Sequence, residues 1–229
     1  MPLTEADAGR YARHASVAAV GAEGQARLRA ARVQVVGAGG EAGPALLCLA
    51  QAGVGALYLD DEADVGPEDA PGWLYGPERL GELRLLAALE PLRRTGGPLR
   101  VRPHGTGVDL SAALIFAGTR GIALLAADRA RLAALPHVVV EPRGEGGRVV
   151  SVPAGAPCYR CAGRPVLGGP PAPGAAAAAG LLGALELLLI LADALPPPGE
   201  GRCLELGPAG PQARATVRRS GCACGRPPA

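Results

Sequence analysis

The chain contains no lysine and no asparagine; all 23 of its basic residues are arginine. Any mechanism that needs a lysine or an asparagine from this chain is therefore excluded. So is conjugation of the chain through a lysine isopeptide of its own. A strong charge imbalance is also absent. The formal net charge of +2 is too small to argue for a nucleic-acid partner or an anionic membrane surface. The N-terminus, Met1-Pro-Leu-Thr-Glu-Ala-Asp7, has neither the basic start nor the apolar run of a secretory signal, so a reducing, cytoplasmic setting is expected. The most membrane-like stretch, Ala175 to Leu195, contains Glu186 and Asp193. A carboxylate at mid-span costs roughly 2.5–3.5 kcal/mol on insertion scales, which favours a buried helix over a membrane span. Six cysteines without a secretion signal make metal binding the first expectation for any pair of them, ahead of a disulfide.

What is present is organised around Arg32-Val-Gln-Val-Val-Gly-Ala-Gly-Gly-Glu-Ala-Gly43. Val33 to Val36 read as a short buried strand, and Pro44 to Ala52 as a helix. A strand, a glycine turn and a helix in that order aim backbone N–H groups and a helix N-terminus at a phosphate. Gly37, Gly39 and Ala42 match the G-x-G-x-x-(G/A) spacing. By itself the motif is equally consistent with a βα turn that binds nothing. A second strand, Gly53 to Asp61, ends in acids about 20 residues past the glycines, where a ribose-binding carboxylate is expected.

Upstream, residues 4–31 read as helical, with Thr4 as an N-terminal cap. Downstream, residues 62–78 are broken by Gly and Pro, and Trp73 and Tyr75 within them either cover a pocket or plug a core edge. Glu78 to Arg94 reads as an amphipathic helix carrying Leu80, Leu83, Leu86, Leu89 and Leu92 on one face. Leu99–Arg102, Leu114–Gly118, His137–Glu141 and Arg148–Val152 read as strands, with a helix from Ile122 to Leu135. Strands alternating with helices predict an α/β, doubly wound, mostly parallel sheet. A Gly/Pro-rich linker (Gly168 to Gly174), a long Ala/Leu helix ended by Pro196-Pro-Pro, and a late hairpin through Cys203–Leu206 and Ala213–Arg218 complete the chain. One domain over 1–229 is expected: an N-terminal arm (1–31), a nucleotide-binding core (32–152) and a zinc-linked segment (153–229).

Cys158-x-x-Cys161 and Cys222-x-Cys224 carry the strongest chemical signal. Four thiolates from two turns can close a tetrahedral zinc site, which with no open position is structural and not catalytic. A redox C-x-x-C or unrelated thiols are the alternatives. Cys48 and Cys203 read as small core residues.

The order of motifs resembles the ThiF/MoeB/HesA family of ubiquitin-activating-enzyme-like adenylyltransferases. It is carried by Arg10-Tyr-x-Arg-His14, Gly21-Ala-Glu-Gly-Gln25-Ala-Arg-Leu, Val33-x-Val-Val-Gly-Ala-Gly-Gly40, Ala52-Gly-Val-Gly55-x-Leu-x-Leu, Cys158-Tyr-Arg-Cys161 and the late cysteine pair. The resemblance implies a homodimer with a pseudo-Rossmann fold that uses MgATP to convert the C-terminal Gly-Gly of a ubiquitin-like or sulfur-carrier protein into an acyl-adenylate. It further implies that Gly37, Gly39 and Gly40 line the nucleotide, that Asp61 holds its ribose, that Arg10 reaches the neighbouring subunit's phosphates, and that Cys158, Cys161, Cys222 and Cys224 bind zinc.

The chain departs from the family pattern at four places. Asp69 and Gly72 stand where the family carries the Asn and Arg of an Asn-Leu-x-Arg-Gln motif. Arg84 stands for the phosphate-binding lysine. Arg120, in Thr119-Arg-Gly121, stands for the magnesium-binding aspartate, and a guanidinium offers a hard cation no oxygen. The stretch from Pro170 to Leu182 has no cysteine, so no thiolate is available there for thioester or persulfide chemistry. The expectation is a degenerate member, a scaffold for a ubiquitin-like protein, a peptide or a paralogue in a heterodimer. The alternative is an active adenylyltransferase in which Arg84 and Arg120 clamp the phosphates and Asp60, Asp64 or Asp69 holds the metal. A nicotinamide oxidoreductase fits less well, since nothing after Asp61 offers a hydride-transfer site.

Overall fold

The computed structural model describes residues 4–70, 72–95, 97, 99–116, 120–163, 169–194 and 199–225. Its helices are α1 (Glu5–Arg10), α2 (Ala12–Ala15), α3 (Gly21–Ala30), α4 (Gly43–Gln51), α5 (Arg84–Arg94), α6 (Arg120–Leu132) and α7 (Pro173–Leu191). Its strands are β1 (Arg32–Val36), β2 (Ala56–Asp60), β3 (Arg100–Pro103), β4 (Ala112–Phe116), β5 (His137–Arg143), β6 (Gly146–Val152), β7 (Gly201–Gly207) and β8 (Gly210–Thr216).

All eight strands join one sheet in the order β3-β2-β1-β4-β5-β6-β7-β8. The first five run parallel, with β1 pairing β2 on one side and β4 on the other. The last three are antiparallel: β5–β6 and β7–β8 form hairpins, and β7 pairs β6 across the connection that carries α7. This is the α/β doubly wound architecture, with the antiparallel strands extending one edge. Because β1 connects outward in both directions, the chain switches side between β1 and β4. In open α/β sheets the crevice beyond the strand C-termini at such a switch is where ligands bind.

The local reasons for these elements are visible in the residues. Thr4 and Asp7 form a reciprocal capping box that starts α1. In β1, Val33 and Val35 are fully buried, while Gln34 donates to Asp60 Oδ2 at 2.9 Å. Every residue of β4 is buried, as expected for a central parallel strand covered on both faces. Helices α4, α5 and α7 contribute to the core on one face, and α6 packs on the other with Tyr159 and Ala162.

Helix α7 lies against β4, β5, β6 and α4. By length and composition it could cross a membrane. In the fold it approaches the sheet through Gly183, where a Cβ would lie 2.3 Å from Val140 Cγ2. Its Glu186 is buried, accepts from Ser151 Oγ at 2.5 Å and from Arg202 Nε at 2.7 Å. The charge that argued against a membrane span is thus a paired core group.

The segment before α5 corrects the sequence reading. Helix α5 begins at Arg84 and not at Glu78; Pro77–Arg79 is a separate short turn. Gly81 has φ +80°, which breaks any helix there, and Leu80, Leu83 and Leu86 are exposed. Their spacing of three mimicked a helical face across a loop. Leu92 alone of the five leucines is fully buried. The late hairpin and the long helix lie where expected, whereas Gly168 and the Pro196 triplet fall outside the described residues.

Candidate functional site

A cleft of about 750 Å³ opens at the switch point, beyond the C-termini of β1, β2 and β4. Gly37, Gly39, Gly40, Asp61 and Arg84 all line it. Gly37 has φ +83°, and a Cβ there would lie 2.5 Å from the Phe116 carbonyl oxygen. Glycine is required at this position to turn the chain out of β1 while β4 passes alongside. Tyr75 is fully buried and its hydroxyl donates to the Ala38 carbonyl at 2.7 Å. Of the two aromatic residues in the loop, Tyr75 plugs the core beneath the glycine turn. Trp73, 66% exposed, stands at the cleft's rim.

The cleft is acidic. Glu41, Asp61, Glu68 and Asp69 line it, against Arg84 as the cation among the described lining residues. Arg84 is held on three sides: its Nε donates to Asp69 Oδ2 at 2.9 Å, its Nη1 to Asp61 Oδ2 at 3.2 Å, and Nη2 faces Glu68 at 3.7 Å. Burial works against its charge, but hydrogen bonding and attraction from Asp69 and Asp61 outweigh that and raise its pKa further. The carboxylates are equally engaged. Asp61 accepts from the Ala38 N–H at 2.7 Å and from the Ala63 N–H at 2.9 Å. Asp69 accepts from the Gly40 N–H at 2.6 Å and from the Gly66 N–H at 2.9 Å. Desolvation pushes the Glu41 carboxyl above its ordinary range.

One implied residue is not brought here: Arg120 opens α6, is half-buried and does not line the cleft; Thr119 before it lies outside the described residues. Arg10, implied to reach a neighbouring subunit's phosphates, donates from its guanidinium to the Thr95 carbonyl of its own chain. Asp64 is exposed and bridges to Leu83 through the backbone. Pro170, Pro171 and Pro173 form an apolar wall where the linker passes.

The four cysteines do converge. Cys158, Cys161, Cys222 and Cys224 present Sγ atoms all within 4.8 Å of one another. Cys158 lies 3.6 Å from Cys222 and 3.9 Å from Cys161, and Cys161 lies 3.6 Å from Cys224. A zinc tetrahedron with ~2.3 Å bonds has edges of about 3.8 Å, so the donor set fits a metal ion such as zinc. The Arg219 N–H donates to Cys161 Sγ at 3.4 Å, the kind of outer contact that orients a thiolate ligand. Burial raises the Cys158 thiol to about 12. Cys224 is opposed by burial too, but a backbone hydrogen bond from Cys158 and the neighbouring thiols bring it down to about 7.

Sequence reasoning missed the network that holds this knuckle. Arg148 and Glu141 are fully buried partners, with Arg148 Nε donating to Glu141 Oε2 at 2.7 Å. The Tyr159 hydroxyl donates to Glu141 Oε1 at 2.6 Å, and Arg148 Nη1 reaches the Gly163 carbonyl at 3.2 Å. The signal was a charge at corresponding positions of two apolar strands, Glu141 opposite Arg148.

A glycine-turn cleft at the switch point of a doubly wound sheet, with a cysteine cluster from the turns after β6 and β8, defines a protein of Rossmann-like fold. The profile of the ThiF family matches residues 11–191, and the chain belongs to that family. The adenylyltransferase and sulfurtransferase uba4 of Aspergillus fumigatus is 34% identical over 186 residues, covering 70% of this chain and 36% of that protein. The bovine adenylyltransferase and sulfurtransferase MOCS3 is 32% identical over 226 residues, covering 88% of this chain and 49% of that protein. The chain therefore spans between about a third and a half of these relatives' length. Among solved structures, Escherichia coli MccB with ATP superposes with a TM-score of 0.77 at 16% identity, covering 95% of this chain and 75% of that one. PaaA superposes at 0.70 and 16% identity, covering 93% of this chain and 75% of that one.

Proposed function

We propose that this protein is a catalytically degenerate ThiF-family scaffold. In this reading it works as a dimer in the cytoplasm, holds a structural zinc at Cys158, Cys161, Cys222 and Cys224, and docks the Gly-Gly tail of a ubiquitin-like or sulfur-carrier protein, or a peptide. The observation that carries the reading is the state of the cleft's charges: Arg84, Asp61 and Asp69 are spent on one another. Both oxygens of Asp61 and both of Asp69 already accept N–H donors, which weakens both as acceptors for a ribose or as ligands for magnesium. With Gly72 in place of the family's arginine, nothing else described at the cleft offsets a triphosphate. Adenylyl transfer depends chiefly on electrostatic placement around the phosphates, so a net acidic cleft whose described cation is already paired removes its basis.

Dimerisation is supported by an apolar groove of about 560 Å³ between the N-terminal arm, α4 and α7. Val17, Leu181 and Leu185 are 51%, 43% and 48% exposed along it, the apolar exposure expected of a buried subunit contact. A second copy, or an active paralogue, is its occupant in this reading.

ATP–pyrophosphate exchange with Mg²⁺ and Gly-Gly-tailed partners tests the first part. No exchange above background is expected. Exchange that disappears in Asp61→Ala would establish the alternative, an active adenylyltransferase with Arg84 and Arg120 brought onto the phosphates. For the second part, sedimentation should give a dimer that Leu185→Glu converts to monomer; a wild-type monomer that pairs with no paralogue would remove the dimer from the reading.

A further inference from the structure

The loop that a phosphate would occupy in a glycine-turn fold is not an open anion seat in this chain. Gly40 begins the short turn Gly40–Ala42 that runs directly into α4, so its N–H belongs to the orphan donors of a helix start. That N–H points at Asp69 Oδ1, 2.6 Å away. One residue pair back, the Ala38 N–H points at Asp61 Oδ2, 2.7 Å away. Two backbone donors of the turn are thus occupied by carboxylates of the same chain.

Asp69 is held there by more than the turn. It is 3% exposed, its second oxygen accepts the Gly66 N–H at 2.9 Å, and the Arg84 guanidinium clamps that same oxygen at 2.9 Å. Beside it, Gly39 packs closely: a Cβ there would lie 3.2 Å from Asp69 Oδ1 and 3.6 Å from Arg84 Cζ. The carboxylate, the turn and the guanidinium pack as one unit.

We propose that Asp69 is an internal anion that occupies the phosphate seat of the glycine turn, with Arg84 as the bolt that keeps it there, and that this single side chain determines the cleft's refusal of nucleotides. A carboxylate tethered to the chain competes with a free phosphate at an effective concentration far above that of the dissolved ligand. Displacing it also strips partners from Gly66 and Arg84 at a partly buried site, where unpaired donors are costly. An entering triphosphate further meets the charges of Glu68 and Asp61. Removal of the Asp69 charge weakens each of these terms at once: a neutral amide oxygen holds the Gly40 N–H less tightly than a carboxylate, Arg84 loses its charged partner there and can face a phosphate, and the repulsion falls.

The latch deepens the scaffold reading and rests on it, and the experiment separates the two. MgATP and inorganic pyrophosphate are titrated calorimetrically into the wild-type chain, Asp69→Asn and Glu62→Gln. Asp69→Asn keeps the shape and an accepting oxygen; Glu62→Gln makes the same change of net charge at an exposed residue that does not line the cleft. The expected result is no saturable binding to wild type or Glu62→Gln up to millimolar ligand, and binding at least tenfold tighter for Asp69→Asn. Equal gains in both variants would reduce the effect to general charge and overturn the latch. So would a folded Asp69→Asn that binds nothing. An independent reading comes from the wild type alone: the Gly40 amide resonance stays unshifted in millimolar pyrophosphate, and a saturable shift there overturns the proposal even if Asp69→Asn proves unstable. Wild type that binds ATP without pyrophosphate exchange removes the latch and leaves the scaffold reading standing, whereas exchange by wild type removes both.

Discussion

Glu141→Ala is expected to lower stability by about 3–5 kcal/mol, a fall in melting temperature of about 10 °C for a chain of this length. The carboxylate is 1% exposed and faces an Arg148 that is 2% exposed. Truncating it leaves a buried guanidinium with no counter-charge and deprives the Tyr159 hydroxyl of its acceptor. Unpaired buried charge is among the few single changes that reach this size. The pair itself need not be strongly stabilising, because two charges taken out of water lose most of what their attraction returns. Glu141→Leu combined with Arg148→Met is therefore expected to recover most of the loss. Thermal unfolding of the single and double variants checks this; a single variant within about 1 kcal/mol of wild type would mean that water reaches Arg148 and the network is not sealed.

The second large effect concerns the cysteine cluster. Metal analysis of the purified protein is expected to give about one zinc per chain, and Cys222→Ser with Cys224→Ser to abolish it. The cluster ties the 3-10 turn Tyr159–Ala162, which packs on α6 and β6, to the C-terminal turn around Cys222 and Cys224. Structural zinc sites contribute folding free energy directly, about 10–16 kcal/mol in isolated finger peptides. In a protein with an eight-stranded core the site is one support among several, so a drop of about 5–15 °C is expected, not global unfolding. A strong chelator is expected to reproduce the drop in wild type and to leave the double variant unchanged. Metal-free wild type with an unchanged melting temperature would count against the staple.

The two predictions differ in how well the residues behind them could be read beforehand. The cysteine cluster was legible because two close pairs in a chain otherwise sparing of cysteine have a short list of chemical uses, and the geometry needed is local to each turn. The glycine turn and its flanking strand and helix were legible for the same reason: Gly37 must adopt a positive φ, and β-branched valines before it and helix formers after it are local preferences. The Glu141–Arg148 pair was not legible, since each residue alone looks like the polar end of a strand. Only the β5–β6 register sets them opposite each other. Leu80, Leu83 and Leu86 misled because spacing reports a helix without reporting whether anything packs against it. The loop at Gly81 and the exposure of these side chains are properties of the surroundings.

The same division holds for the site. The substitutions at Gly72, Arg84 and Arg120 were visible in the chain, and the expected consequence was a reversal of charge from acid to guanidinium at the metal position. The cleft is acidic instead: Arg120 stays outside it, and Arg84 lies neutralised between Asp61 and Asp69. By itself, the order of residues determined the class of fold, the position of the glycine turn and the pairing of the cysteines, because each follows from preferences within a few neighbouring residues. Which carboxylates meet Arg84, and that they occupy the turn's own N–H groups, was decided only when the loop after β2 folded back over β1. Coulomb attraction and hydrogen bonding act over a few ångströms of space, and a sequence separation of 29 between Gly40 and Asp69 carries no trace of that distance.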